Sequence, residues 1–261
     1  MSKYQQYINE GRGQGKRAGY VPWIKIQDFA SCGMVSRVKG IKTGRVHHFL
    51  SNLELAFFYI LDWSDDVLDI REQYPLSDIN QAIAIADKAD IKYPYDHESG
   101  FPYVMTSDFF VDTIRGPQAF AIKPAMDLEK PRVREKLEIE RRYWKNLNVR
   151  WRLVTENEID RTKAKNIEWL SQARDLGSFC IPKEEQRLFT DYFMARYPDY
   201  ADSLGTLMGR VEQAFKLPAG MGLNIYKYLA YWKRLPYNAG IEVDFSRFMD
   251  SLREECVGGV L

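Results

Sequence analysis

Three residues of this 261-residue chain, Glu54, Asp108 and Lys123, combine type and setting in a way that could do chemistry. Asp108 lies inside a largely apolar strand candidate, Tyr103 to Ile114, and a carboxylate in such a setting needs a partner or a metal. Lys123 stands near the end of a second strand candidate, Ala119 to Pro124, flanked by Phe120, Ala121, Ile122 and Pro124. Glu54 follows Ser51 by three residues, at the start of an apolar run with helical spacing. A strand carboxylate facing a lysine on the adjoining strand is the core of a metal-dependent nuclease site. Carboxylates fix Mg²⁺ through oxygen ligands, and the ion polarises a phosphate and lowers the pKa of a bound water. The lysine positions or deprotonates that water, or stabilises charge developing on phosphorus. The plain alternatives are a cross-strand ion pair between Asp108 and Lys123, and a capping box at Glu54.

Positioning these three requires a helix and a hairpin. Leu53, Ala56, Phe57, Ile60 and Leu61 predict a helix from Ser51 to about Trp63. Val67 to Leu76 reads as a strand, and Asp78 to Ile91 as a short helix or loop. Tyr93 to Gly100 reads as a loop. Arg115, Gly116 and Pro117 separate the two strand candidates, predicting an antiparallel hairpin. A long charged helix is expected over Arg132 to Asn146, then a strand over Trp151 to Thr155. That order predicts an α/β core with a mixed sheet flanked by helices. Before it, Tyr20 to Val46 reads as short strands or loops, and the glycine-rich opening Gly11 to Arg17 as a flexible arm. After it come helical stretches at Ile167 to Ala173, Glu184 to Tyr197, Leu204 to Phe215 and Gly222 to Trp232, then a strand at Ile241 to Phe245. Helices ending in strands are compatible with a winged-helix module.

Bulk properties set the surroundings. The chain is 45% hydrophobic, with no apolar stretch near the ~20 residues a membrane span needs. Its start lacks the apolar centre of a signal peptide, so a cytoplasmic protein is expected. Cys32, Cys180 and Cys256 are odd in number and widely spaced, so free thiols are expected rather than a zinc site. The net charge of +1 hides blocks of +7 over residues 1–50, −10 over 51–112, +6 over 113–165 and −2 over 166–261. Basic blocks around an acidic centre fit a polyanion-binding protein that holds cations. Arg12, Lys16, Arg17, Arg45, Arg141 and Arg142 are the candidate phosphate contacts. Solvated surface charge is the alternative for each.

Several blocks together resemble the TnsA family of transposon-end endonucleases. They are Lys42-Thr43-Gly44-Arg45-Val46-His47-His48 with Leu53-Glu54-Leu55-Ala56, Val67 to Pro75, and Met105 to Asp112. Phe120 to Ala125, Lys136 to Trp144, Asn166 to Leu170 and Asn224 to Lys227 extend the resemblance, which thins beyond about residue 170. It implies a restriction-endonuclease-like core and a C-terminal winged-helix-like domain. It implies that Glu54, Asp108 and Lys123 are the catalytic acid, acid and lysine, with Glu140 near them as an orienting group. The implied activity is Mg²⁺-dependent cleavage of double-stranded DNA at the 5′ ends of a transposon, Mn²⁺ substituting. The implied partners are an integrase-type transposase (TnsB), which cuts and joins the 3′ ends, and an AAA+ regulator (TnsC).

The chain departs from the family pattern at Ala121, where Gln or Glu usually stands two residues before the lysine. A backbone carbonyl of that strand, assigned to Ile122, or the Gln118 side chain could substitute as ligand or orienting group. The expected organisation is a basic arm over 1–48, a catalytic core over 49–165 and a partner-binding domain over 166–261. The departure keeps a second reading open, a DNA-binding adaptor subunit with reduced or lost nuclease activity.

Overall fold

The computed structural model describes residues 3–28, 35–96, 100–179, 181–197 and 202–243. All three cysteines lie outside the described residues. The chain divides into two compact units, residues 1–159 and 160–261. The division falls six residues ahead of the start at 166 expected from sequence, just before a helix that begins at Arg161.

The first unit is built on a four-stranded mixed sheet in the order β3-β4-β5-β6. Strand β3 is Val67–Pro75, β4 is Thr106–Thr113, β5 is Gly116–Ile122 and β6 is Arg150–Val154. β3, β4 and β5 run antiparallel, and β6 joins β5 in parallel after a helical crossover. The expected hairpin is present, but Gly116 and Pro117 belong to β5, leaving Ile114 and Arg115 as the turn.

Helix α2, Asn52–Trp63, covers one face of the sheet. Its Phe58 and Leu61 pack with Ile70, Phe109, Val111, Phe120 and Ile122. Helices α3, Ile79–Lys88, and α4, Pro131–Asn146, cover the other face. There Ile85, Ile139, Tyr143 and Trp144 pack with Phe110 and Ala119. The region left open between helix and loop, Asp78 to Ile91, is thus a helix over most of its length, with Asp78 as N-cap accepting from Gln81 N. Proline at the first position of α4 suits a helix start, where its missing N–H is no loss.

The described residues before α2 pack onto this core. Helix α1, Lys3–Asn9, and a hairpin of β1, Ser36–Lys39, with β2, Val46–Phe49, precede it. The glycine-rich stretch expected as a flexible arm is closely packed. Gly13 and Gly15 have φ of +73° and +89°, and a Cβ on Gly13 would meet Pro75 Cγ at 2.5 Å. Only glycine fits that combination. The Tyr20 hydroxyl donates to the Glu72 carbonyl at 3.0 Å, tying the stretch to β3.

In the second unit α5, Arg161–Ser171, α6, Lys183–Arg196, α7, Leu204–Phe215, and α8, Met221–Tyr231, bury Ile167, Leu170, Phe193, Leu207, Val211, Ile225 and Leu229. The strand expected at Ile241 to Phe245 is absent over 241–243, and the rest of it lies outside the described residues. Instead, Asn166 Nδ2 donates to the carbonyls of Ala239 and Ile241, at 2.7 and 2.8 Å. Those carbonyls are occupied by a side chain rather than by a strand ladder.

Candidate active site

The site forms where β3, β4 and β5 stop behaving as a regular ladder. The pairing of β4 with β5 ends at Phe109 opposite Phe120. The Asp108 carboxylate then accepts the Ile122 N–H at 2.6 Å, a donor lying beyond the last backbone pair. On β3, Gln73 has φ of +47°, a left-handed conformation rare for a residue with a side chain. Strand residues two apart normally share a face. Across Gln73 they do not: Glu72 turns to His47, whereas Tyr74 stacks on Phe110 at 4.6 Å between centroids, on the α4 side. The kink delivers the Gln73 side chain toward Asp108.

Asp108 and Lys123 meet as the sequence predicts, with Lys123 Nζ 2.8 Å from Asp108 Oδ2. Burial works against the Lys123 charge, but Asp108, with Glu140 and Glu54 behind it, outweighs burial and holds the ammonium above its ordinary range. Glu54 arrives from the first turn of α2. Its backbone N–H is capped by Ser51 Oγ at 3.1 Å, and its carboxylate accepts from Ser51 Oγ and from Leu50 N at 2.9 and 3.1 Å. Capping and site roles therefore coexist in one residue. Burial, and then the charge of Asp108, push its carboxyl up to about 7.

Glu140 is buried on α4, where Ser107 Oγ donates to it at 2.6 Å and Trp151 Nε1 at 2.9 Å. Trp144 Nε1 in turn donates to Ser107 Oγ at 2.7 Å. Burial leads, with the Asp108 charge adding, in raising the Glu140 carboxyl to about 7. Four polar residues of this neighbourhood escaped sequence reasoning: Gln73, Thr106, Ser107 and Trp151. Gln73 Nε2 stands 3.5 Å from both Glu54 Oε2 and Asp108 Oδ1, and Gln73 Oε1 accepts from Thr106 Oγ1 at 3.0 Å. Val67 to Pro75 already carries Asp69, Arg71 and Glu72, so a further polar side chain at Gln73 gave no signal in the sequence.

Two carboxylates that flank the same Gln73 amide, one of them raised first by burial and then by the other's charge, form a donor set short of positive charge. Hard oxygen ligands of this kind fit Mg²⁺, which is commonly bound by one or two carboxylates, keeping waters and substrate phosphates as its other ligands. Among the described residues no three acidic, histidine or cysteine side chains converge as metal ligands. Glu54 and Asp108 would hold the ion. Ile122 is brought beside Asp108, to which its N–H donates, and that N–H is no cation ligand. Gln118 is not brought to the site: it pairs with Val111, three residues along β5 from Ala121, or roughly 10 Å at ~3.3 Å per residue.

The candidate phosphate contacts separate into two groups. Arg12 is buried, bound bidentate to Asp28 and donating to the Trp23 carbonyl, and Arg45 is partly buried, its guanidinium held by Glu72 and the Ile70 carbonyl. Both guanidiniums are paired with internal acids, which removes them from the set of free phosphate-binding candidates. Lys16 and Arg17 are exposed. Arg141 and Arg142 are half-exposed, share Glu138, and with Lys88 and Lys145 line an open groove of about 600 Å³ between α3 and α4. His47, in the block with Arg45, is fully buried, between Thr43 Oγ1 and Glu72 Oε2 at 2.7 Å each. It packs and holds the β1–β2 hairpin to β3.

The sequence profile for the TnsA-like endonuclease N-terminal domain matches residues 64–156, and that for the TnsA endonuclease C-terminal domain matches residues 158–238. Glu54 thus precedes the first match, while Asp108, Lys123 and Glu140 lie within it. The chain is 49% identical over 168 residues to the transposition protein TnsA of transposon Tn7 from Escherichia coli. The similar stretch spans 62% of this chain and 60% of that protein. On both domain matches and that identity, the chain belongs to the TnsA family.

Proposed function

We propose that this chain is the DNA endonuclease subunit of a cut-and-paste transposon, cleaving the 5′ ends of the element with Mg²⁺. The observation that carries the reading is the convergence of Glu54, Asp108 and Lys123 from α2, β4 and the end of β5. When bound, the cation would polarise the scissile phosphate and lower the pKa of the attacking water. Lys123, held as an ammonium by Asp108, acts as a charge: it stabilises negative charge developing on the phosphate rather than removing a proton. Glu140 acts behind the site, steadying the β4 end through Ser107.

The work is divided with partners in this proposal. An integrase-type transposase, TnsB, cuts the 3′ ends and brings sequence specificity, and an AAA+ regulator, TnsC, contacts the complex. Arg141, Arg142, Lys16 and Arg17 supply phosphate contacts without base preference. A cytoplasmic setting fits, and no described helix is long and apolar enough to cross a membrane. The second reading, an adaptor with little or no cutting, is favoured by one observation: Ala121 is buried beside the site and offers no ligand.

Cation add-back tests the proposal. Transposon-end DNA is incubated with the chain and its transposase after EDTA treatment. Cutting of the 5′ strands is expected to return with Mg²⁺ or Mn²⁺, while Ca²⁺ supports binding without cutting. Cutting that persists in EDTA contradicts metal dependence, and no 5′ cutting under any cation favours the adaptor.

A further inference from the structure

We propose that Gln73 is a cation ligand of this site, supplying through its amide oxygen the donor that Ala121 does not. The inference rests on the nuclease reading above and deepens it. Three observations carry it. Gln73 is buried and lies directly across the sheet from Asp108, between the pairs Glu72–Phe109 and Tyr74–Ser107. Its backbone is held in the left-handed region, a strained conformation for a residue with a side chain that persists only where the surroundings impose it. Its amide sits equally far, 3.5 Å, from one oxygen of Glu54 and one of Asp108.

Those contacts are long for hydrogen bonds, so the amide spans the two acids without clamping them. The NH₂ end faces the carboxylates, because an oxygen there would be repelled by both. A cation between Glu54 and Asp108 reverses that preference. The amide is nearly symmetrical in shape, and turning it over exchanges Oε1 and Nε2 within the same volume. Thr106 Oγ1 accommodates either orientation, donating to Oε1 as observed or accepting from Nε2 after the turn. Gln73 therefore turns its NH₂ to the acids when no cation stands between them and its oxygen to the cation when one does.

The test is Mn²⁺ binding at pH 7.5, followed by electron paramagnetic resonance on the full chain, with folding checked by circular dichroism in EDTA. Wild type is compared with Gln73→Met, similar in length but without the oxygen, with Gln73→Glu, which keeps an oxygen, and with Asp108→Asn. Gln73→Met is expected to weaken binding roughly 10- to 100-fold, as losses around metal sites do, and Gln73→Glu to bind at least as well as wild type. A folded Gln73→Met that binds as wild type overturns the ligand role while leaving the nuclease reading intact. So does a folded Gln73→Glu as weak as Gln73→Met. Failure of wild type to bind Mn²⁺, or binding unchanged in Asp108→Asn, overturns both. Should Gln73→Met not fold, the wild-type protein decides through its ¹⁵N-labelled side chains: Mg²⁺ must shift the Gln73 NH₂ signals, and unmoved signals overturn the inference.

Discussion

Lys123 Nζ lies 2.8 Å from Asp108 Oδ2, and the same oxygen accepts the Ile122 N–H at 2.6 Å. One carboxylate oxygen thus receives a side-chain cation and a backbone donor from consecutive residues, which fixes Asp108 against the end of β5. Lys123→Ala leaves the backbone hydrogen bond and removes the charge. Cleavage is expected to fall about 10²- to 10³-fold, the usual consequence of losing one preorganised charge-stabilising group. Because it strips the buried Asp108 of its counter-charge, Lys123→Ala should also lower the melting temperature, so cutting is compared well below it. Measured cutting rates within threefold of wild type would remove Lys123 from the chemistry.

Glu54 and Glu140 both carry carboxyls raised from 4.5 to about 7, burial first and the Asp108 charge next. A carboxyl raised in the folded state favours folding when protonated. Its contribution is fully present below about 4.5 and is lost as pH rises through about 7, worth up to about 3 kcal/mol per group. In EDTA the melting temperature should therefore fall between pH 5 and pH 8. A cation competes with the proton, so Mg²⁺ should stabilise the protein more at pH 8 than at pH 5.5. Thermal melts across that range check both halves, and Glu54→Gln should flatten the slope.

The buried group around Glu72 makes a prediction about stability alone. Arg45 and His47 converge on Glu72 from the start of β2, and together they hold its carboxyl down near 2 despite burial. Glu72→Ala leaves the Arg45 guanidinium buried with no counter-charge. Removing one partner of a buried pair costs roughly 3–5 kcal/mol. Urea denaturation should show a loss of that order.

DNA affinity should separate the arginines by burial. Arg141→Ala with Arg142→Ala is expected to weaken binding to any duplex and to lower the slope of log affinity against log salt by up to about two. Arg12→Ala should instead lower stability, because it strips Asp28 of its buried partner. Fluorescence anisotropy over a salt series distinguishes the two outcomes. An Arg141/Arg142 double variant with an unchanged slope would clear the α3–α4 groove of a role in DNA binding.

What could be read from the sequence followed from periodicity and local signals. Ser51 and Glu54 announced α2, and the apolar runs around Asp108 and Lys123, separated by Arg115, Gly116 and Pro117, placed both on adjoining strands, since local sequence alone determines those features. Arg12 and Arg45 were misread because a charge count gives sign and not burial. Their acids, Asp28 and Glu72, lie 16 and 27 residues away and meet them only in the fold. Gln73 was invisible as a site residue for another reason: its role depends on a left-handed backbone, and no residue type in Glu72-Gln73-Tyr74 announces one. Gln118 was a reasonable substitute by nearness in sequence, but strand geometry carries it away from Asp108.

Strand-specific cleavage of end-labelled transposon-end DNA, with the transposase and Mg²⁺, tests the central claim most directly. Wild type is compared with Asp108→Ala. Loss of the 5′-strand cuts with the 3′-strand cuts intact is the predicted result, and it would assign the 5′ chemistry to this chain and place Asp108 at its centre. Identical products from the two proteins would contradict the account and leave the chain as an adaptor.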